Sequence, residues 1–344
     1  MWGQVKETKV DQTFNVNSNT ALFIDSKFGK VHIETWNQSK IQAKVVVEVD
    51  GNENTARAIL DRISIDVNES SSQVKLETEI AEARNSRNHR FKINYTVTMP
   101  KGNPLRIDHR HGDIYLGDHS GSLDLDLAHG QIVAEALTGD SRVSLQHGSG
   151  GRISSLGSGH LEIQHYQRLR LGQLGNMQME LAHSSVDVEN GGDIDLEIRH
   201  SNLELETVGK LTVDMQHSKL SAESAETVDT DMQHSTVDIE RVATAVSADG
   251  NHSHVKVGRL SRNFSRVEFD GNHSYLGLGL ESGAKGKLDV SLHHGKMDYP
   301  ESAVNMSMVN IENNSRSYKG NIGSGTGGTI QVEGNFTDFD LDID

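Results

Sequence analysis

The chain has 344 residues with 33 Lys and Arg against 49 Asp and Glu, a formal net charge of −16 that argues against a phosphate-binding surface and so against nucleic acid as partner. Apolar residues make up 34% and aromatics 5%, with 33 glycines, a lean composition that favours one long repetitive fold over two thick cores. The absence of cysteine excludes a disulfide framework, a thiolate metal site and a thiol nucleophile.

At the N-terminus "MWGQVKETKV" lacks the apolar core of a signal peptide. No apolar run in the chain approaches the ~20 residues that cross a bilayer, so no membrane insertion is expected. "SKFGKVHI" alternates apolar and polar residues around Phe28, with Ile24 before it and Val31 and Ile33 after. "IQAKVVVEVD" reads as a long amphipathic strand. Residues 52–62, "NENTARAILDR", predict a short helix capped by Asn52 or Asn54, with Ala56, Ile59, Leu60 and Ile63 on one stripe. "DVNESSSQVKLE" repeats the alternation around Ser71; "AEARNSRNHR" (81–90) reads as an exposed loop, and "FKINYTVTM" as a strand ending near Pro100.

From there a histidine recurs with a nearly fixed step: His111, His129, His147, His165, His183, His200, His217, His234, His252, His273 and His294. The steps are 18, 18, 18, 18, 17, 17, 17, 18, 21 and 21, and Gly or Ser follows ten of the eleven, with Tyr166 the exception. Apolar residues recur at −4 and −2 and again at +3 and +5, as with Met179, Leu181, Val186 and Val188 about His183; nine of the eleven repeats keep the +3/+5 pair, and those at His147 and His165 slip. Period-two alternation on both sides implies two short strands, and the Gly or Ser implies a corner between them. Each histidine shares parity with its −2 and −4 neighbours and is therefore expected to point inward. Further steps of 21 land on Ser315 and Phe336, so Phe28, Ser71, Ser315 and Phe336 are expected to occupy the histidine slot towards the two ends.

This pattern predicts an all-β, single-stranded, right-handed β-solenoid with coils of 17–21 residues and an internal histidine ladder. The expected divisions are N-terminal coils with a capping helix over 1–100, the ladder over 101–299, and C-terminal coils ending in the cap "DFDLDID" over 300–344. The "GKVHI" turn, the long strand, the helix, "INYTVTMPKGNPLRI" and the train of "HGDI"-like strands resemble a bacterial family of β-strand-repeat, adhesin-type domains of unknown function. The resemblance implies a β-helical fold and an extracytoplasmic location, and supplies no catalytic residues.

Evenly spaced histidines could suggest a metal array, but a single file offers each ion two imidazoles at most, where zinc takes three or four ligands. The expected role is structural, with no metal and no cofactor. Its consequence would be folded-state histidine pKa values below the unfolded ~6.5 and easier melting in mild acid. The outward acids of "LDLDL" (123–127), "DIDLE" (193–197) and "LELE" (203–206) lack a calcium-loop pattern and read as a solvated sheet face. His32, His89, His109, His119, His160, His254 and His293 share no spacing and are expected in solvent. The expected function is a non-catalytic surface protein, either an adhesion-type binding module for a carbohydrate or protein or a rigid rod. The alternatives are a carbohydrate-active β-helix enzyme and a self-assembling filament subunit.

Overall fold

The computed structural model describes residues 3–81 and 91–343; nearly all of the expected 81–90 loop, including His89, lies outside them. The chain divides into two compact units, Met1–Leu174 and Gly175–Asp344.

In the first unit the strand Ala21–Trp36 is the organising element. Its first half pairs in parallel with Gln73–Ile80, whose antiparallel partner is Ile63–Glu69. Its second half pairs with Phe91–Pro100, which continues antiparallel through Lys40–Gly51 to Gly3–Asn15. Among the described residues one helix forms, Glu53–Leu60, within the expected 52–62; Ile63, expected on its stripe, instead begins the strand Ile63–Glu69. The Asn52 side chain accepts from the Thr55 N–H at 2.9 Å, Glu53 sits in the first turn, and Ala56, Ile59 and Leu60 are buried.

The strand Leu105–Leu116 then lies in parallel along Ala21–Trp36 and feeds two runs. Its Leu105–Arg110 half pairs with Leu123–Ala128, followed by Ser141–Gln146 and Gly159–Gln164. Its Ile114–Leu116 half pairs with Ile132–Leu137, followed by Arg152–Leu156 and Leu169–Leu174. Each repeat in the sequence is thus one step across the sheet.

In the second unit three long strands, Asn202–Gln216, Lys219–Gln233 and Thr236–Asn251, stack in parallel register. Asn202–Gln216 joins two runs within this unit, pairing through its first half with Ser185–Gly191 and through its second with Ile194–Arg199. The chain end is threaded rather than appended. Gly328–Asn335 inserts between Arg266–Asn272 and Gly286–His293, and Asp338–Ile343 between Tyr275–Leu280 and Met297–Asp298. The expected terminal cap "DFDLDID" is therefore an interior strand. The edge is instead closed by the antiparallel pair Ser315–Ile322 and Val304–Glu312.

The single-stranded β-solenoid with an internal ladder does not describe this chain. The fold is all-β with a closed eleven-stranded parallel β-barrel, outer strands beside it and one short helix. Period-two patterning fixes which residues face inward, and it did so here: Met179, Leu181, Val186, Val188 and their counterparts are at most a few per cent exposed. It carries no information on how runs of strands join. Long strands that enter two runs, such as Leu105–Leu116 and Asn202–Gln216, run on where a corner or turn between two short strands was expected.

Candidate binding face: an outward imidazole ladder beside a carboxylate row

Every ladder histidine sits in the left-handed region, with φ between 50° and 63°, and every one is exposed. The expected inward ladder is corrected here. A left-handed residue interrupts the pleat, so residues −1 and 0 both face solvent and the inward direction passes to +1. Histidine is among the non-glycine residues that tolerate this conformation best.

In the first unit the rings of His111, His129, His147 and His165 stack at 4.7, 5.0 and 5.0 Å between centroids, within 12° of parallel. In the second, His183, His200, His217, His234 and His252 stack at 5.0 Å, and His252 meets His273 at 4.8 Å. Phe28 has φ 62° and lies flat on His111 at 5.2 Å, with Phe91 edge-on behind it. Phe336, with φ 51°, is not beyond the ladder's end. It lies between His273 and His294, at 4.6 and 4.5 Å, because its strand is inserted there. The other two end slots are not in the ladder. Ser71 occupies the turn of the Ile63–Glu69 and Gln73–Ile80 hairpin, and Ser315 begins a strand with its Oγ 3.1 Å from His293 Nδ1.

The interior ladder is made by the residue after each histidine. Ser184, Ser201, Ser218, Ser235, Ser253, Ser274 and Thr337 are all buried. The N–H of each serine donates to the next hydroxyl of the series, as Ser201 N to Ser218 Oγ (3.2 Å) and Ser218 N to Ser235 Oγ (3.2 Å). Each hydroxyl donates to the carbonyl two residues back, as Ser218 to Gln216 (2.7 Å). In the first unit glycine serves: a Cβ on Gly130 would overlap the carbonyl of Gly112. At the exception, Tyr166 is fully buried and donates to the Gly130 carbonyl at 3.1 Å, and Gly148 leaves the room for its ring.

Three residues before each ladder ring runs a second row. In the second unit Glu180, Glu197, Asp214, Asp231, Asp249, Asp270 and Glu333 are successive neighbours across the parallel strands. In the first unit Glu77, Asp25, Asp108 and Asp126 are likewise adjacent, with Ser144 and then Glu162 following. Neighbouring strands lie ~4.8 Å apart, so like charges crowd. Partial burial first and the adjoining carboxylates second push Asp25, Asp126 and Asp249 above the ordinary carboxylate range. In the sequence the row shows as an acid at −3 of most repeats, which the expected solvated sheet face does not single out. Between the two rows Ala128 is short, and an open groove of about 540 Å³ is lined by Asp108, Asp126, Ser144, His111, His129 and His147 among others.

The rings as stacked do not form a two-imidazole metal site. Two Zn–N bonds of ~2.1 Å span at most ~4.2 Å, less than the spacing of 5.0 Å along most of the ladder. Among the described residues no group of three or more His, Asp or Glu is placed to hold an ion. His109 and His119, expected in solvent, are fully buried. His109 Nδ1 lies 2.7 Å from the buried Ser26 Oγ, and its Nε2 3.3 Å from the Gly29 carbonyl. Both members being enclosed, the pair offers no substrate-accessible nucleophile. Tyr275, stacked on His254 at 4.5 Å, donates to Asp340 at 2.8 Å; burial and then that carboxylate push its hydroxyl up to about 12. No helix among the described residues is long and apolar enough to cross a membrane.

No protein-family model matches the chain, and no curated protein matches it. Solved structures similar to it include a provisionally named cell adhesion protein from Clostridium sporogenes, at 12% identity and TM-score 0.22, covering 99% of this chain and 100% of that one. A provisionally named adhesin from Bacteroides fragilis matches at 13% identity and TM-score 0.28, covering 68% of this chain and 97% of that one. A provisionally named lipid binding protein from Parabacteroides distasonis matches at 8% identity and TM-score 0.23, covering 98% and 96%. Likenesses this loose carry no argument about function.

Proposed function

We propose that the chain is a non-catalytic, adhesion-type binding module of the cell surface or envelope, and that in each of its two units the contact face carries the stacked imidazoles and the adjoining carboxylates. The observation that supports this reading is the equivalence of successive repeats. Each presents the same outward ring at nearly the same spacing and most present the same acid, whereas catalysis uses groups in unlike environments with unlike pKa values. A face that repeats one chemistry along its length suits an extended, repetitive ligand, which gains affinity by occupying many weak and similar contacts together.

The test is surface-immobilised polymer binding by the whole chain, with chitosan (polycationic), heparin (polyanionic) and dextran (neutral) as probes. Saturable binding to chitosan is expected, weakening with salt and reduced at least tenfold in a Asp214→Asn, Asp231→Asn, Asp249→Asn variant. Binding to none of the three, or release of new reducing ends from any of them, overturns the reading.

A further inference from the structure

Among the described residues the last strand of the sheet, Val304–Glu312, pairs on one side only, with Ser315–Ile322. In an antiparallel ladder every second residue then turns its N–H and C=O to the open side. Three of the six exposed large hydrophobic side chains among the described residues lie here: Met308 at 39%, Val309 at 49% and Ile311 at 59%.

Other one-sided strands of this chain are blunted. Gly3–Asn15 carries Lys6, Glu7, Lys9 and Asp11, and Ile63–Glu69 carries Asp66 and Glu69. Charges of this kind keep a free edge from recruiting another strand. Val304–Glu312 has neither lysine nor proline, and its only charge is Glu312 at the very end. Its register shift, between Met306 and Met308, comes before Val309 and Ile311, and from Met308 to Glu312 the pairing runs unbroken.

We infer that this edge pairs with the same edge of a second copy of the chain. Two points favour a second copy over an unrelated strand. An antiparallel strand paired with itself satisfies a twofold axis by construction, so one surface supplies both halves of the interface. The molecule carries −16 overall, so two copies repel over most of their surface. The closing hairpin is nearly neutral, with Glu312 against Arg316 and Lys319, and is where repulsion is least. An axis through Asn310 sets Val309 against Ile311 of the second copy and Ile311 against its Val309, covering the two most exposed apolar residues of the edge. The dimer carries two contact faces, so a ligand that spans both is held by avidity.

The chain has no cysteine of its own, which permits a clean test. Residues directly opposite in an antiparallel pair have Cα atoms about 4.5–5.5 Å apart, within disulfide range. Mild oxidation of Asn310→Cys is expected to give a covalent dimer on non-reducing gels, whereas Gln12→Cys on the charged edge gives none. Sedimentation of the unaltered chain from micromolar to near-millimolar concentration is expected to show a rise to twice the single-chain mass. Ile311→Lys should hold it at one, with its circular-dichroism melting curve retained. The inference is overturned by a single-chain mass throughout, by cross-linking of Asn310→Cys no greater than that of Gln12→Cys, or by growth past the dimer. Should Ile311→Lys not fold, the cross-linking comparison still decides. Polymer binding by a proven monomer would leave the proposed function standing while removing the dimer.

Discussion

The backbone N–H of Ser201 donates to the Oγ of Ser218, 3.2 Å away at the corner of the next repeat, and both groups are buried. The same hydroxyl donates to the Gln216 carbonyl at 2.7 Å, so one side chain satisfies an orphan donor of its neighbour and an acceptor of its own corner. Ser218→Ala leaves the Ser201 N–H buried without an acceptor. The expected loss is about 1–3 kcal/mol of unfolding free energy, read from urea titration at pH 8. A loss indistinguishable from zero would mean that water reaches the corner.

Thr230 is the converse case. It stands at a position filled by Val213 in one neighbouring strand and Ala248 in the other, and it is 3% exposed. Its Oγ1 has no hydrogen-bond partner. Thr230→Val keeps the shape and removes the desolvated hydroxyl, so stability should rise by about 1–2 kcal/mol. A fall on thermal melting would show that the hydroxyl holds a partner in solution.

These two sites show what the sequence made legible. The inward set at −4, −2, +3 and +5 followed from alternation alone, and the helix from Asn52 and its stripe. The histidine's direction did not, because parity counting assumes extended backbone at every residue. One left-handed residue transfers the buried position from His217 to Ser218, and a one-residue slip exchanges faces. The signal was present: a conformation needing φ > 0 prefers histidine over β-branched residues, and a Gly or Ser after it is small enough to turn inward. The place of Phe336 between His273 and His294 had no local signal, since insertion of the final strands is a long-range event. The carboxylate row could have been found by aligning on the histidine and reading position −3.

Substitutions at His217 separate ring stacking from backbone strain. Its ring contacts both His200 and His234 at 5.0 Å, and its φ is 51°. Asn and Gly tolerate that φ and lose only the two stacks, at about 0.5–1.5 kcal/mol each. Val loses them too and adds about 1–2 kcal/mol for a left-handed β-branched residue. His217→Val is therefore expected to be the least stable, at about 2–5 kcal/mol below the parent, with His217→Asn and His217→Gly between. Chemical denaturation of the three variants gives the order; equal losses would place the whole effect in stacking.

Acid sensitivity is expected from two buried imidazoles. Burial first pushes His109 below its ordinary 6.5, against the Gly29 carbonyl, Ser26, Asp113 and Asp108, which favour the proton. Burial also lowers His119, opposed by the Ser122 backbone and assisted by Lys101, yet neither ring nitrogen has a partner of good hydrogen-bond geometry. On the ladder His129 is lowered too, by desolvation and then by His111 and His147. A depressed histidine pKa means that the unfolded chain binds more protons, so stability is complete above 6.5 and falls as pH drops from 6.5 through the folded values. The raised carboxylates Asp25, Asp126 and Asp249 act with opposite sign and lower down, since the folded chain holds their protons more tightly above 3.8. Melting temperature should therefore fall between pH 7 and pH 5, with the carboxylates offsetting part of the loss only at lower pH. His119→Leu, which removes an unpartnered polar ring from an enclosed site, should melt higher at pH 5 and show a shallower slope. A slope unchanged in His119→Leu and in a His109→Gln variant would place the sensitivity elsewhere, and His129→Asn would then test the ladder directly.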